Sequence, residues 1–276
     1  MGGVGCRIQP RQWDRISWAL GARREVAALN LELARGLPNT ESLQFAPCLG
    51  VIDQWTAFVG AYTERVAPKF ARDPAAYENS KAYFALLTMV TALQRGIGIA
   101  YDPGLIDEED FFRQPENVFI HGVVLQKRGT CSSLPPLYVA IGRRLGYPLK
   151  LVSTKCHLFA RWDDPSGERW NLECTCPGLN CYSDDHYRQW PIPITPEEEN
   201  RFGWLKSKTP AQEVALFWGM RGHCWLANGQ FRDAAACYDA AGRLDPENEL
   251  PALSASWAAQ LADSSTTGNI ERTSHV

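Results

Sequence analysis

Apolar residues recur at helical spacing through the first third of the chain, with arginine and glutamate between them. This pattern predicts a helix over 11–36, a second over 41–66 and a third over 81–95. Pro68 and Pro74 bound a connecting segment in this interpretation, because proline has no N–H to donate inside a helix. No set of nucleophiles or ligands falls in these helices, so we interpret them as packing elements.

The next stretch, 96–122, shows no clear period and is predicted to be an irregular acidic segment. Its residues 107–110 are interpreted as a solvated loop, and His121 as a structural histidine with a catalytic role as the alternative. Gln126 lies five residues before Cys131 and is a candidate oxyanion donor, because an amide N–H can stabilise charge that develops on a carbonyl oxygen.

Helical spacing returns after Cys131 and is followed by alternation, which favours strands. A strand is predicted over 149–154, a second begins at His157, and a returning strand covers 170–175 after a turn over 163–167. The apolar positions of the preceding helix are Leu134, Leu137, Tyr138, Ile141 and Leu145, and Gly146 fits its C-terminal end.

Cys131 is predicted to lie at the start of that helix. Pro135 and Pro136 are tolerated only in a first turn, which places Cys131 at the first turn or just before it. A helix N-terminus stabilises negative charge, so this position favours the thiolate, the nucleophilic form of cysteine. The alternative is a small buried cysteine with no chemical role.

His157 and an acidic or amide side chain supply the partners that a cysteine nucleophile needs. The thiol requires a base, and the base requires an acceptor that fixes its tautomer. Asn171 and Glu173 share one face of the returning strand, so either can meet His157 across the hairpin. The predicted catalytic residues are therefore Cys131, His157 and Glu173, with Asn171 as the alternative third member.

These residues resemble the transglutaminase-like superfamily, especially its SirB1-like bacterial branch. The resemblance implies a papain-like topology and acyl transfer by a Cys-His-acid triad, and it places Gln126 near the oxyanion. Glu173 stands where aspartate is more common, and Cys156 where the SirB1-like group often has glycine. The matching positions are Gly129, Cys131, Ser133-Leu134, Leu137-Tyr138, Arg144-Leu145-Gly146, Cys156-His157 and Asn171-Leu172-Glu173.

Composition limits the partners, the location and the cofactors that the sequence predicts. A net charge of −3 over 276 residues does not favour nucleic acid or an anionic membrane as a partner. Neither a long apolar run nor a secretory signal is recognised, so a cytoplasmic location is expected, with the nine cysteines reduced. A zinc site is an alternative interpretation of the cluster Cys174, Cys176, Cys181 and His186. The Cys-x-Cys spacing is too short for the usual zinc knuckle, however. No metal or cofactor is predicted.

A second pattern lies near the C-terminus. It resembles one tetratricopeptide repeat over 210–245, followed by a capping helix over 251–262. A single repeat rarely forms a peptide groove, so we favour packing on the core over recruitment of a protein partner. Residues 182–196 form either a cleft wall or a linker. The repeat positions are Trp218, Gly222, Trp225, Ala234, Tyr238, Ala241 and Pro246.

The predicted fold class is α+β, with a nucleophile helix on an antiparallel sheet, N-terminal helices and a C-terminal helical hairpin. The domains are a helical region over 1–75, a catalytic core over 76–205, a repeat-like unit over 210–262 and a disordered tail over 263–276. The predicted function is acyl transfer on a peptide or protein substrate, by hydrolysis or transamidation. The alternatives are an inactive scaffold that binds a partner through 210–262, and a redox thiol protein whose reactive cysteine does not depend on His157.

Overall fold

The computed structural model describes residues 25–41, 43–106 and 111–273, with side chains up to residue 264. The predicted helix over 11–36 therefore lies largely outside the described residues, and only its end is seen, as α1 (Val26–Ala34). The acidic stretch 107–110 lies outside as well.

Two longer helices follow α1. Helix α2 covers Phe45–Arg72, and α3 covers Lys81–Thr91 and continues as a wider π turn over Ala92–Ile97. Ser80 caps α3 by accepting a hydrogen bond from the Tyr83 N–H at 2.8 Å. The predicted third helix is therefore present, with its last turn widened.

The predicted break at Pro68 is wrong, because α2 continues through Pro68 to Arg72. A proline inside a helix removes one donor, which would have bonded the carbonyl four residues earlier, at Glu64. Both Pro68 and Glu64 are exposed, so water can satisfy that carbonyl. The chain turns only at Asp73, whose side chain caps a 3₁₀ turn over Pro74–Tyr77.

The segment predicted to be irregular contains short regular elements. Asn30 in α1 accepts a hydrogen bond from the Ile120 N–H at 2.9 Å, and this contact between residues 90 positions apart fixes the start of a helix. Such a contact leaves no local pattern in the sequence. The elements are β1 (Ala100–Tyr101), 3₁₀ turns over Pro103–Leu105 and Phe111–Arg113, α4 (Pro115–Val118), α5 (Ile120–Gln126) and β2 (Arg128–Gly129), which pairs in parallel with β1.

The predicted helix and hairpins follow. Helix α6 covers Leu134–Arg144, and the antiparallel sheet has the order β3 (Leu149–Thr154), β4 (His157–Asp163), β5 (Arg169–Leu172). The mixed α+β class and the antiparallel sheet are therefore confirmed. Strand β5 ends earlier than predicted, so Glu173 directly follows the strand.

The two faces of this sheet are covered by different elements. On one face, Leu158 and Ala160 join the main hydrophobic core together with Leu137 and Ile141 of α6. On the other face, the ring of Tyr187 stacks on Phe159 with centroids 3.8 Å apart. Tyr187 belongs to α7 (Asp184–Gln189), which is followed by α8 (Pro196–Arg201). Part of the 182–196 segment thus packs on the sheet.

Three C-terminal helices complete the structure: α9 (Pro210–Ala227), α10 (Phe231–Leu244) and α11 (Leu250–Thr273). A Cβ at Gly222 would lie 2.5 Å from the Tyr238 ring, so glycine permits the close approach of α9 and α10. Arg221 donates to the carbonyl oxygens of Leu33 at 2.7 Å and Arg35 at 2.8 Å. Helix α9 is therefore packed on the N-terminal helices.

The tail predicted to be disordered is helical as far as Thr273, because α11 extends beyond the predicted capping helix. Ala258 and Ala262 are buried, and the helix continues outward from this packed part. A polar Ser/Thr composition cannot form a core, but it can prolong a helix that packing has already started. Within the described residues, no helix combines the length and apolar character needed to cross a membrane.

Candidate functional site

Cys131 lies in a tight turn three residues before α6 begins. Thr130 organises this turn: its N–H donates to Ser133 Oγ at 3.0 Å, and its hydroxyl donates to the Asn117 carbonyl at 2.7 Å. Thr130 and Ser133 are fully buried, whereas Cys131 is half-buried. The turn therefore holds a partly accessible thiol on a fixed backbone.

His157 opens β4 directly after the turn that joins β3 and β4. Cys156 in that turn has φ of +59°, which allows the chain to reverse within two residues. The His157 Nε2 lies 2.9 Å from Glu173 Oε2. The Cys131 side chain lies near the imidazole and raises the pKa of His157.

Glu173 accepts hydrogen bonds on both carboxylate oxygens. Its Oε1 accepts from the Thr175 N–H at 2.8 Å and from the Thr175 hydroxyl at 2.6 Å. Its Oε2 accepts from His157 and from the Tyr187 hydroxyl at 3.0 Å. Because four donors surround it, the carboxylate can stay ionised although its side chain is inaccessible to solvent.

The ionisation of this pair follows from these contacts. Burial alone would lower the pKa of His157, but hydrogen bonds to Cys131 and Glu173, and attraction to both groups, raise it to about 9. Burial alone would raise the pKa of Glu173, but the hydrogen bond and charge of His157, with the bonds from Thr175, lower it. The histidine is therefore held as an imidazolium beside a carboxylate at neutral pH.

The two other predicted site residues lie elsewhere. Asn171 accepts from Arg161 Nε at 2.6 Å and donates to the Tyr182 carbonyl at 2.7 Å, so its amide is engaged with the Arg161 side chain. Glu173, not Asn171, contacts His157. Gln126 is exposed at the end of α5, and it is not among the described residues that line the cleft beside Cys131. The geometry therefore does not support an oxyanion role for Gln126.

Sequence reasoning missed the aromatic neighbours of the site. Tyr187 donates to Glu173, and the Trp190 ring meets the His157 ring edge-on with centroids 4.6 Å apart. In Tyr101, burial raises the pKa, as do the nearby charges of Cys131 and Glu173, so its hydroxyl stays protonated. The aromatic composition of 182–196 was the available signal, but it did not distinguish a wall from a linker.

Among the described residues, the remaining cysteines and histidines form no second group of potential ligands or nucleophiles. Burial raises the pKa of Cys181 to about 11 and lowers that of His121 to about 4, so both are neutral at pH 7. His121 is buried in α5 and does not line the cleft beside Cys131. Across the described part of the chain, no three potential metal ligands converge, and all eight cysteines found there are free thiols.

A cleft of about 790 Å³ opens beside Cys131 and His157. The cleft is lined by the turn that carries Cys131, by the β3–β4 hairpin and by residues of α9 to α11. The C-terminal helices thus do more than pack on the core, because they complete the wall of the cleft that contains the thiol. A concave cleft that encloses a ligand but stays open to solvent on one side is the usual form of a ligand site.

Comparison with protein families supports part of the resemblance. Residues 64–192 match the model of the transglutaminase-like superfamily, so the chain carries a transglutaminase-like domain over that range. The matched range contains Cys131, His157 and Glu173. No curated protein and no solved structure matched the chain. The SirB1-like branch and the tetratricopeptide unit stay predictions.

Proposed function

We propose that this protein is a cysteine acyl-transfer enzyme that acts on a carboxamide or peptide bond. The observation that carries the proposal is the hydrogen bond from His157 to Glu173, with Cys131 and His157 lining the same cleft, within a transglutaminase-like domain. A nucleophile, a base and an orienting acid in contact are what acyl transfer through a thiol requires.

In the proposed first step, the Cys131 thiolate attacks the carbonyl carbon of the substrate. The C–N bond breaks, and the His157 imidazolium gives its proton to the leaving amine. The product is a thioester on Cys131 and a neutral imidazole. Since His157 is held protonated at neutral pH, the proton that the leaving group needs is already present before the attack.

In the second step, water or an amine attacks the thioester carbonyl. The attacking group transfers a proton to His157, and the C–S bond breaks to release the acid or the new amide and restore the thiolate. Glu173 holds Nε2 throughout and so keeps Nδ1 directed at the reacting atoms. The acyl acceptor, water or amine, stays open in this proposal.

The test is alkylation of each cysteine by iodoacetamide at pH 6.5 and 7.5, read by peptide mass spectrometry. Cys176, which is also half-buried, serves as the internal reference. We expect Cys131 to react at least about tenfold faster than Cys176 in the wild type, because the imidazolium stabilises its thiolate. We expect His157→Ala to remove that advantage without changing Cys176.

Equal reactivity of Cys131 and Cys176 in both proteins would contradict the proposal. The inactive-scaffold interpretation, with 210–262 as a partner-binding unit, would then replace it. A fast Cys131 that is unaffected by His157→Ala would instead favour the redox thiol interpretation.

A further inference from the structure

One face of α9 lines the catalytic cleft. The residues of that face are Gln212, Ala215, Leu216, Gly219, Met220 and His223, which recur every three or four positions. The opposite face, with Val214, Phe217 and Trp218, belongs to the buried core. Phe112, which also lines the cleft, packs against His223 with ring centroids 4.9 Å apart, so the cleft wall is continuous there.

Gly219 leaves open space in this wall. A Cβ at Gly219 would meet no atom within 4 Å, whereas at Gly222, in the same helix, it would lie 2.5 Å from Tyr238. Gly222 is thus explained by packing, but Gly219 is not. A glycine in a helix interior costs about 1 kcal/mol relative to alanine. What Gly219 provides is room in the cleft beside Leu216 and Met220.

The charged groups of the cleft are already paired within the protein. Lys155 Nζ lies 2.8 Å from Glu198, and Asp245 accepts from Gln212 Nε2 at 3.0 Å. Lys208 donates to the Gly203 carbonyl at 2.9 Å. Each of these charged groups already has a hydrogen-bonding partner in the protein, and the cleft-lining residues nearest to Gly219 along α9 are the apolar Ala215, Leu216 and Met220.

We propose that the cleft at Gly219 is a binding subsite for a large apolar side chain of a peptide substrate, close in sequence to the carbonyl attacked by Cys131. This inference rests on the proposed acyl-transfer function and names its substrate class. A peptide fits better than an alkyl chain, because the cleft is also lined by Ser254, whose hydroxyl can hydrogen-bond to a peptide backbone.

The test uses acetylated tetrapeptide chloromethyl ketones in which three positions are alanine. The fourth position carries either phenylalanine or serine, and each of the four positions is varied in turn. The Cys131 thiolate displaces chloride from the methylene carbon, so the rate of labelling reports both binding and the thiol. For wild type we expect one position at which the phenylalanine peptide labels Cys131 on the order of tenfold faster than the serine peptide, because the ring is buried in the subsite.

Gly219→Leu is expected to abolish this preference, because leucine would fill the open space, and Gly219→Ala to weaken it. Gly50→Leu is the matched control: Gly50 also lies inside a helix with nothing within 4 Å of a Cβ, and it does not line the cleft. Gly50→Leu should keep the full preference. Circular dichroism checks that each variant folds.

Iodoacetamide, which needs no subsite, separates the two proposals. Normal reaction of Cys131 with iodoacetamide, but no phenylalanine preference or one that survives Gly219→Leu, would overturn the subsite alone. Faster labelling by a decanoyl chloromethyl ketone than by every peptide would overturn the peptide class.

If Cys131 does not react with iodoacetamide, the same peptides as amides are titrated by calorimetry. Tighter binding of the phenylalanine peptide, lost in Gly219→Leu, would then support the subsite, and equal binding would overturn it.

Discussion

Glu173 is, together with Cys131, one of the two residues that raise the pKa of His157. It carries a negative charge in a closed position, and it does so because Thr175, Tyr187 and His157 all donate to it. The raised pKa of His157 is partly a consequence of that charge. Neutralising Glu173 while keeping its size should therefore change the histidine more than it changes the fold.

For Glu173→Gln we expect the pKa of His157 to fall from about 9 toward or below its ordinary value, because burial then acts with less opposition. A raised pKa contributes stability that is fully present below the unfolded value, about 6.5, and is lost as pH rises through the folded value. The wild type should thus lose stability between these two pH values, and Glu173→Gln should show a flatter dependence.

The measurements are NMR titration of the His157 ring and urea unfolding at pH 6, 7.5 and 9. Glu197→Gln is the control, since Glu197 is exposed on α8. An unchanged His157 titration in Glu173→Gln would show that the carboxylate does not set the ionisation of the histidine.

The residue types of the site were predictable, because a cysteine before a proline-started helix and a histidine at a strand start leave local signals. The choice between Asn171 and Glu173 was not. Both share a face of the strand, and only the engagement of Asn171 with Arg161 leaves Glu173 for the histidine. Tyr187 was also missed, since a hydroxyl donor 14 residues from its acceptor has no sequence period.

At the scale of elements, Arg143 joins three of them. From α6 it donates Nε to the Leu149 carbonyl of β3 at 2.8 Å, and its two terminal nitrogens bond both oxygens of Glu213 on α9 at 2.8 and 2.5 Å. The Glu213 side chain is 3 % exposed. This bidentate pair joins α6, the helix that follows Cys131, to α9, which lines the cleft.

Glu213→Ala is expected to lower the free energy of unfolding by on the order of 3 kcal/mol, because it leaves a largely buried guanidinium without its carboxylate. Glu249→Ala is the matched control. It breaks the Arg201–Glu249 pair, whose side chains are 42 % and 54 % exposed, and should cost less than about 1 kcal/mol. Urea unfolding measures both, and similar losses for the two variants would refute a special role for Glu213.

Local periodicity predicted α3, α6 and the three strands, because their apolar residues recur at the spacing of a helix or alternate as in a strand. It failed where a contact with a residue distant in sequence determines where an element begins or ends. The short helix α5 starts at Ile120, whose N–H donates to the distant Asn30 side chain. Helix α2 continues through Pro68 because water can bond the exposed Glu64 carbonyl that the proline leaves without a donor. The contact between Arg143 and Glu213, 70 positions apart, is likewise invisible in the sequence.

At the scale of the molecule, α9 and part of α10 belong to the same core as the N-terminal helices, and α11 packs on α10 in a smaller cluster. Phe217 and Trp218 of α9 share one hydrophobic cluster with Leu31 and Leu33 of α1, and Arg221 closes the carbonyl ends of α1. The sequence favoured packing of this unit over partner binding. It did not reveal that α9 would line the same cleft as Cys131.

The chain should accordingly unfold as one unit. We expect a chain ended after Thr209, which lacks α9 to α11, to lose the cooperative urea transition, because the apolar face that α9 covers would be exposed and Arg143 would lose Glu213. A chain ended after Ser264 keeps the buried Ala258 and Ala262 and should unfold with a midpoint close to that of the full chain. Far-UV circular dichroism and tryptophan fluorescence, followed together, measure both. A cooperative transition at an unchanged midpoint in the shorter chain would mean that α9 to α11 form an independent module, and the cleft would then lie between two units rather than within one.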